Sequence, residues 1–514
     1  MSGNDRIYNA AVDMIDRNIE EGRGDKLAII DDAGSYTYGD LAVRVNHAAN
    51  ALQSIELDRE NRVALIMLDT IDYPSIFWGA IKAGIVPIAL NTLLTTAQYK
   101  DILNDCRAKV LFVSHALLPT LEPILGDLEF LRRVVVTGGD AGNHTAYDDL
   151  TASASDTFDA AGTSPDEIAF WLYSSGSTGM PKGVLHRHTS PMATADTYGR
   201  HVVEITEDDV VFSAAKLFFA YGLGNSMSFP FAVGATVVLM AERPTPQSVM
   251  KRLRDHNPTI YYGVPTLYGA LLADPDCTPE NGSRNLRRCI SAGEALPEDI
   301  ARRWQERFGV EILDGIGSTE LLHIFLSNQA GKVRPNSSGL PVPGYTLRIV
   351  DEDGVDVPDG EIGELIVDGP SAADGYWNRR EKSRNTFAGR WTWTGDKYIR
   401  DGDGYYQCCG RSDDMFKVSG IWVSPFEVEA ALLSHESVFE AAVVPHADDE
   451  DLLKPKAYVV FSEGTVYDDT LYEELKEHVK SQIGGWKYPR WIEPRDDLPK
   501  TATGKIQRFM LVKK

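Results

Sequence analysis

The stretch YSSGSTGMPKGV (173–184) gathers four serine and threonine hydroxyls, three glycines and one lysine in twelve residues. Hydroxyls and glycine amides donate hydrogen bonds to phosphate oxygens, and a lysine supplies compensating charge. Ser174, Ser175, Gly176, Ser177, Thr178, Gly179 and Lys182 are therefore candidate phosphate contacts. The order differs from the common nucleotide loop, which ends Gly-Lys-Ser/Thr and opens a helix. Here Pro181 precedes the lysine and disfavours helical geometry at Met180, so no helix is expected at that point. A flexible linker is the competing reading. It accounts poorly for the buried-strand pattern IAFWLY before the loop and GVLHRH after it.

Four further stretches carry chemistry that is weak singly. LDGIGSTE (313–320) sets Thr319 and Glu320 after two glycines; a threonine can bond a phosphate oxygen and a carboxylate can hold the Mg2+ that accompanies ATP. WTWTGDKYIRDGDGYY offers Asp396 for a ribose diol, or as a turn cap. GRSDDMFKVSG and PKTATGKIQR follow, the second carrying Lys505. KLFFAYGLG holds Gly222 and Gly224 but has Met227 where a dinucleotide fingerprint needs its third glycine. DEDGVD (351–356) imitates a calcium loop in the wrong register. His186 and His188 lack a third metal-like partner and read as structural.

These residues need elements to position them. RVALIML then YPSIFWGAIKAG reads as strand then helix; AKVLFVS, DVVFSAAKLF and GATVVLM add buried strands. Such alternation predicts α/β architecture with largely parallel sheets. From about residue 339 short strands joined by Asp-Gly turns predict antiparallel hairpins. Beyond about 412 the pattern is a small α+β domain. SPFEVEAALLSH is a helix with Ser424 as N-cap and Pro425 in the first turn. Strands FEAAVVP and KAYVVF, helix TLYEELKEHVKSQI and strand RWIEP follow. Residues 151–167 read as a surface connection.

The 514 residues exceed one small core, so two or more domains are expected. A formal net charge of −24 argues against a nucleic-acid partner, which requires a basic face. No apolar run approaches the roughly 20 residues of a membrane span, and the first residues lack a basic-then-apolar signal pattern. Five cysteines in no zinc spacing suggest reduced thiols and a cytoplasmic location.

Taken in order, the five stretches resemble the adenylate-forming superfamily of acyl- and aryl-CoA synthetases, luciferases and peptide-synthetase adenylation domains. The narrower resemblance is to the benzoate-CoA ligase group, carried by GSYTYGDLAVRVNHAANAL, KLFFAYGLGNSMSFPF, DGIGSTELLHIFLSN and KVSGIWVSPFEVEAALL. It implies an α/β fold: a large N-terminal domain of α/β subdomains with a small β-barrel-like part (1–411), then a small mobile α+β C-terminal domain (412–514). It also implies a two-step reaction. A carboxylate attacks the α-phosphorus of MgATP to give an acyl-adenylate and pyrophosphate, and CoA then displaces AMP.

The resemblance assigns roles as follows. The 173–184 loop holds the β- and γ-phosphates through Thr178 and Lys182; Thr319 touches the α-phosphate and Glu320 holds Mg2+. Gly293, Glu294 and Ala295 line the adenine, with Asp314, Gly315, Ile316 and Gly317 on the following strand. Ile316 replaces the stacking tyrosine frequent in the family. Asp396 and Arg411 meet the ribose hydroxyls, and Lys505 is the catalytic lysine. Asp413 is the hinge. Gly420 and Trp486 belong to the CoA channel, although Trp486 also reads as a core tryptophan, and Tyr488 stands where some relatives carry arginine. Phe219, Ala220 and Tyr221 face Gly317, His323 and Ile324 across the acyl group. His323 is open between a polar contact and a wall residue. Lys216 is the one lysine or arginine in these two segments, so a second charge on the acid is not expected.

The implied substrate is benzoate or a simply substituted benzoate, with ATP and CoA. Alternatives are 2-aminobenzoate, hydroxybenzoate, an alicyclic or small branched acid, or loading of a carrier protein. A non-catalytic nucleotide or acyl binder is the alternative from another class. The expected state is a monomer or homodimer, without nucleic-acid or membrane partners.

Overall fold

The helix Asp72–Lys82 is apolar on nearly every face, and Tyr73 through Lys82 are all buried. A helix of that kind has to be interior. It crosses the helix Tyr38–Ser54, which starts at a capping box between Thr37 and Asp40. The crossing is close because Gly79 has no side chain: a Cβ there would lie 2.6 Å from the Ala48 methyl.

The computed structural model describes residues 7–174, 181–412, 414–418, 421–448, 452–485, 487–500 and 506–512. The chain divides into two compact units, Met1–Leu347 with Val367–Thr392, and Arg348–Ile366 with Trp393–Lys514.

The first unit contains two large sheets. In the eight-stranded sheet, Val86–Ala89, Arg62–Ile66, Val110–Ser114 and Arg133–Thr137 run parallel. Ile168–Ser174 extends them in parallel, and Lys182–Arg187 then Gly375–Tyr376 close that side in antiparallel fashion. The nine-stranded sheet has six parallel strands, ordered Ile312–Gly317, Arg288–Ala292, Ile260–Gly263, Val210–Ser213, Thr236–Val238 and Leu27–Ile30. Near-continuous apolar strands such as Val110–Ser114, buried at all five positions, are what doubly covered parallel sheets require.

The strand expected across DVVFSAAKLF stops at Ser213. Local bonds take over beyond it: the Ala215 amide donates to Ser213 Oγ at 3.2 Å, and the Leu217 amide reaches both Asp69 carboxylate oxygens at 3.4 Å.

The second unit carries the hairpin chemistry. Trp391–Arg400 and Tyr406–Arg411 pair antiparallel around a turn in which the Asp401 amide donates to the Tyr405 carbonyl. Farther along, Val438–Ala447 and Leu453–Phe461 pair antiparallel, and Trp491–Pro494 adds in parallel. Helices Pro425–Leu433 and Asp469–Ile483 pack on them through Val428, Leu432, Leu475 and Val479. Ser424 caps the first helix by accepting from the Glu427 amide, as its sequence predicts.

None of the five cysteines is in a disulfide; four are buried and Cys408 is partly exposed. Cys408 and Cys409 lie in the strand Tyr406–Arg411. Among the described residues no helix is long and apolar enough to cross a membrane.

Candidate active site

The loop 175–180 is spanned by an antiparallel pair, Ile168–Ser174 and Lys182–Arg187, in register Tyr173↔Gly183 and Ser174↔Lys182. Lys182 thus opens a strand, as Pro181 demanded, and no helix follows. Ser175, Gly176, Ser177, Thr178 and Gly179 lie outside the described residues, as do Asp413, Gly420, Trp486 and Lys505.

Lys182 is brought against the 313–320 segment by a residue that sequence reasoning missed. Its ammonium lies 4.6 Å from the centroid of the Tyr376 ring, and the Tyr376 hydroxyl donates to Glu320 Oε1 at 2.8 Å. Backbone bonds fix this trio: the Ala373 amide donates to the Glu320 carbonyl, and the Trp377 amide to the Gly183 carbonyl. Tyr376 is far from both partners in sequence, and a lone tyrosine after Gly375 carries no spacing signal.

Thr319 and Glu320 sit in a single tight turn, Thr319–Leu321, capped by Ser318 Oγ accepting from the Leu321 amide at 3.3 Å. The preceding strand Ile312–Gly317 pairs Ser291 with Asp314 on one side and Gly317 with Ile324 on the other. Gly317 has a strict reason: a Cβ would lie 2.6 Å from the His323 carbonyl oxygen and 2.8 Å from the Ile324 amide. Gly315 is similarly crowded by Ile324 and the Leu326 carbonyl, and Ile316 opposes Leu326.

Gly293 turns the chain after Arg288–Ala292 with φ +97°, a left-handed value suited to glycine. Gly293 and Ala295 are exposed there and Glu294 half-buried. Asp314 Oδ1 is buried without a hydrogen-bond partner. Burial pushes that carboxyl up to about 8, with the Leu296 amide and the Ser291 hydroxyl offsetting only part. A buried acceptor of this kind awaits a ligand donor or keeps its proton.

The segments expected to flank an acyl group meet. Phe219 is the N-cap of the short helix Ala220–Leu223, which runs on through a wide turn, Gly224–Ser228. Such π-type bulges are frequent at functional sites. Tyr221 anchors its hydroxyl on the Gly263 and Ile290 carbonyls at 3.2 and 3.3 Å.

His323 is only 2% exposed, with ring centroids 5.6 Å from Tyr221, 5.2 Å from Tyr198 and 4.5 Å from Phe229. Its Nε2 faces Asn225 Oδ1 at 3.1 Å. Burial pushes its pKa down to about 3, so the ring is neutral. It is therefore part of a buried aromatic cluster, with Ile324 buried beside it. Tyr198, Phe229 and Asn225 were not read from the sequence, where they look like ordinary core residues.

Lys216 does not point its charge into this cluster. Its ammonium is spent on the Met240 and Glu242 carbonyls, with Asp69 at 3.8 Å. His186 and His188 are both buried. His186 stacks on Phe170 at 5.1 Å, and His188 Nδ1 accepts from the Ala10 amide at 3.1 Å.

In the second unit, Asp396 and Arg411 face each other across the hairpin. Arg411 Nη1 donates to Asp396 Oδ1 at 3.0 Å and to the Thr394 carbonyl at 3.1 Å. Burial raises the Asp396 carboxyl and Arg411 offsets this. Gly395, at φ +74°, leaves the room: a Cβ would meet the guanidinium at 3.0 Å. Tyr488 has its ring 4.2 Å from Lys480 Nζ and 3.6 Å from the Arg490 guanidinium carbon.

Residues 15–377 match the AMP-binding enzyme family and residues 427–505 match its C-terminal domain. The chain is 58% identical over 506 residues to the benzoate–CoA ligase of Thauera aromatica, covering 98% of this chain and 95% of the relative. It superposes on a crystal structure of a benzoate CoA ligase from Burkholderia xenovorans LB400 with TM-score 0.91 and 48% identity, covering 98% and 100% of the two chains. It also superposes on the anthranilate CoA ligase AuaEII, solved in complex with anthranoyl-AMP, with TM-score 0.93 and 41% identity over 99% and 98%. With both parts of the family matched in sequence order, and the lysine, tyrosine and glutamate of the main part converging at one strand end, this chain belongs to the AMP-binding enzyme family.

Proposed function

We propose that the protein is an ATP-dependent aryl-CoA ligase that converts benzoate, or a simply substituted benzoate, to its CoA thioester through an acyl-adenylate, releasing AMP and pyrophosphate. One observation carries the aryl part. Tyr198, Tyr221, Phe229 and neutral His323 form an aromatic cluster, and the neighbouring lysine is turned away onto backbone carbonyls. A flat uncharged ring buries well against such faces. The benzoate and anthranilate specificities of the relatives agree with it.

In the first half-reaction the carboxylate attacks the α-phosphorus and pyrophosphate leaves. Lys182 and the 173–184 loop hold the leaving phosphates, and Thr319 bonds the α-phosphate. Asp314 and the turn at Gly293 take the adenine, Asp396 and Arg411 the ribose. Lys505 bridges the two reacting anions and compensates the charge that builds between them. In the second half-reaction the CoA sulfur attacks the acyl carbon and AMP leaves, with Gly420 and Trp486 in the CoA channel.

Mg2+ fits Glu320. One carboxylate oxygen is held by Tyr376, which orients the other, and Mg2+ is commonly bound through one or two carboxylates plus substrate phosphates. Bound there, the ion would neutralise phosphate charge.

The test is AMP release with ATP, CoA and a panel of acids: benzoate, 2-aminobenzoate, 4-hydroxybenzoate, cyclohexanecarboxylate and isobutyrate. Benzoate is expected to give the highest kcat/KM and to yield a free CoA thioester. A preference for an aliphatic acid, or thioester only on a carrier protein, would overturn the reading. Lys505→Ala is expected to abolish benzoate-dependent pyrophosphate exchange while sparing thioester formation from supplied benzoyl-adenylate.

A further inference from the structure

The chain on both sides of residues 501–505 is anchored within the second unit. Lys500 and Ile506 form an antiparallel bridge, and the Gln507 amide donates to the Pro499 carbonyl at 2.7 Å. Leu498 and Leu511 are buried with Tyr458, whose hydroxyl donates to the Leu511 carbonyl at 3.1 Å. Together these contacts hold both flanks of residues 501–505 in the second unit.

A further contact is of a different kind. Arg508 Nε and Nη2 donate to the two carboxylate oxygens of Glu429 at 3.0 and 2.6 Å. Both side chains are nearly buried, 10% and 7% exposed. Glu429 sits on the helix Pro425–Leu433 and also accepts from the Val443 amide at 2.7 Å. The guanidinium lies 4.3 Å from the Phe426 ring centroid, and its Nη1 is 3.5 Å from Asp414 Oδ2.

A buried ion pair is a poor way to gain stability, because the desolvation of both charges offsets most of their attraction. What a two-pronged arginine–carboxylate contact does supply is geometry: it fixes distance and orientation at once. Here it ties the backbone just after Lys505 to a helix and, through Asp414, to the chain just after Asp413. We propose that Arg508, clamped on Glu429, is a positioning residue that sets the reach of Lys505 in the adenylation half-reaction.

The inference rests on the reading of Lys505 given above. An ammonium that must touch two anions tolerates little displacement; an error of about 1 Å costs on the order of 100-fold in rate. The thioester half-reaction does not use Lys505, so it does not need the clamp.

The experiment measures pyrophosphate exchange, thioester formation from supplied benzoyl-adenylate, and thermal unfolding. The variants are Arg508→Ala, Arg508→Lys and the apolar double variant Glu429→Met/Arg508→Met. Arg508→Ala is expected to lower exchange kcat about 100-fold, with KM for ATP little changed and the thioester rate within about threefold of wild type. Arg508→Lys should recover part of the exchange. The double variant removes both partners of the ion pair and leaves the Val443 amide without its acceptor, so it should fold with a lowered unfolding temperature and still lose exchange.

Wild-type exchange in the double variant, or an equal fall of both half-reactions in all three, would overturn the proposal. Lys505→Ala assayed alongside separates the two readings. If it keeps exchange, the lysine assignment itself has failed, whatever the Arg508 variants do.

Discussion

Three histidines in the first unit are held neutral by burial, which pushes His186 and His323 down to about 3 and His188 to about 4. Each binds its proton more readily unfolded than folded, so its contribution to stability is complete above the ordinary histidine value near 6.5. That contribution is lost as pH falls from there towards 3–4, by at most about 1.4 kcal/mol per histidine per pH unit. The first unit should therefore unfold at lower urea as pH drops from 7 to 4.5. His186→Phe, which keeps the stack on Phe170, should shrink that drop. An identical pH slope in the two proteins would count against it. Asp314 acts with the opposite sign: its raised carboxyl favours the fold at low pH, so Asp314→Asn should remove a loss of stability between about pH 4 and 8. At this scale the sequence offered candidate residues for the chemistry, and not whom they meet. Asp396 and Arg411 were both visible, but their ion pair depends on hairpin register. Tyr376 was invisible because only folding brings it to Glu320.

The elements around the proposed anion loop supply no helix. Residues 175–180 join two antiparallel strands, so a phosphate bound there would be answered by Lys182 rather than by a helix dipole. Pro181 made this legible in advance. Less legible was the strand ending at Ser213, since Ala214 to Phe218 are apolar but for Lys216 and it is the local bonds to Ser213 Oγ and Asp69 that pull them out of the sheet. The strand Ile312–Gly317 gives a direct test. Gly317→Ala would drive a methyl into the His323–Ile324 backbone, where no side chain can yield. A loss of about 1–3 kcal/mol in stability is expected, with KM for benzoate rising because His323 must shift. Unchanged urea midpoint and KM would show that the strand gives way freely.

At the scale of the whole molecule, the family's two-step chemistry asks the C-terminal part to serve two reactions in turn. Asp413, between Arg411 of the Asp396–Arg411 ion pair and the segment leading to Gly420, is the proposed pivot. Asp413→Pro restricts φ at that point and should slow thioester formation at least tenfold more than pyrophosphate exchange; equal losses would argue for a rigid joint. The alternation of strands and helices and the compact tail were legible from hydrophobic period and turn chemistry. The sheet orders were not, because they depend on which strands neighbour each other and not on any one strand's pattern.

The cysteines make that pivot measurable. Burial pushes the thiols of Cys106, Cys289 and Cys409 up to about 12 and that of Cys277 to about 11, which starves them of reactive thiolate. Cys408, partly exposed and on the same strand as Arg411, is the native attachment point for a fluorophore. A dye placed there without any mutation would let changes in emission be followed through a single turnover, giving each half-reaction its own clock.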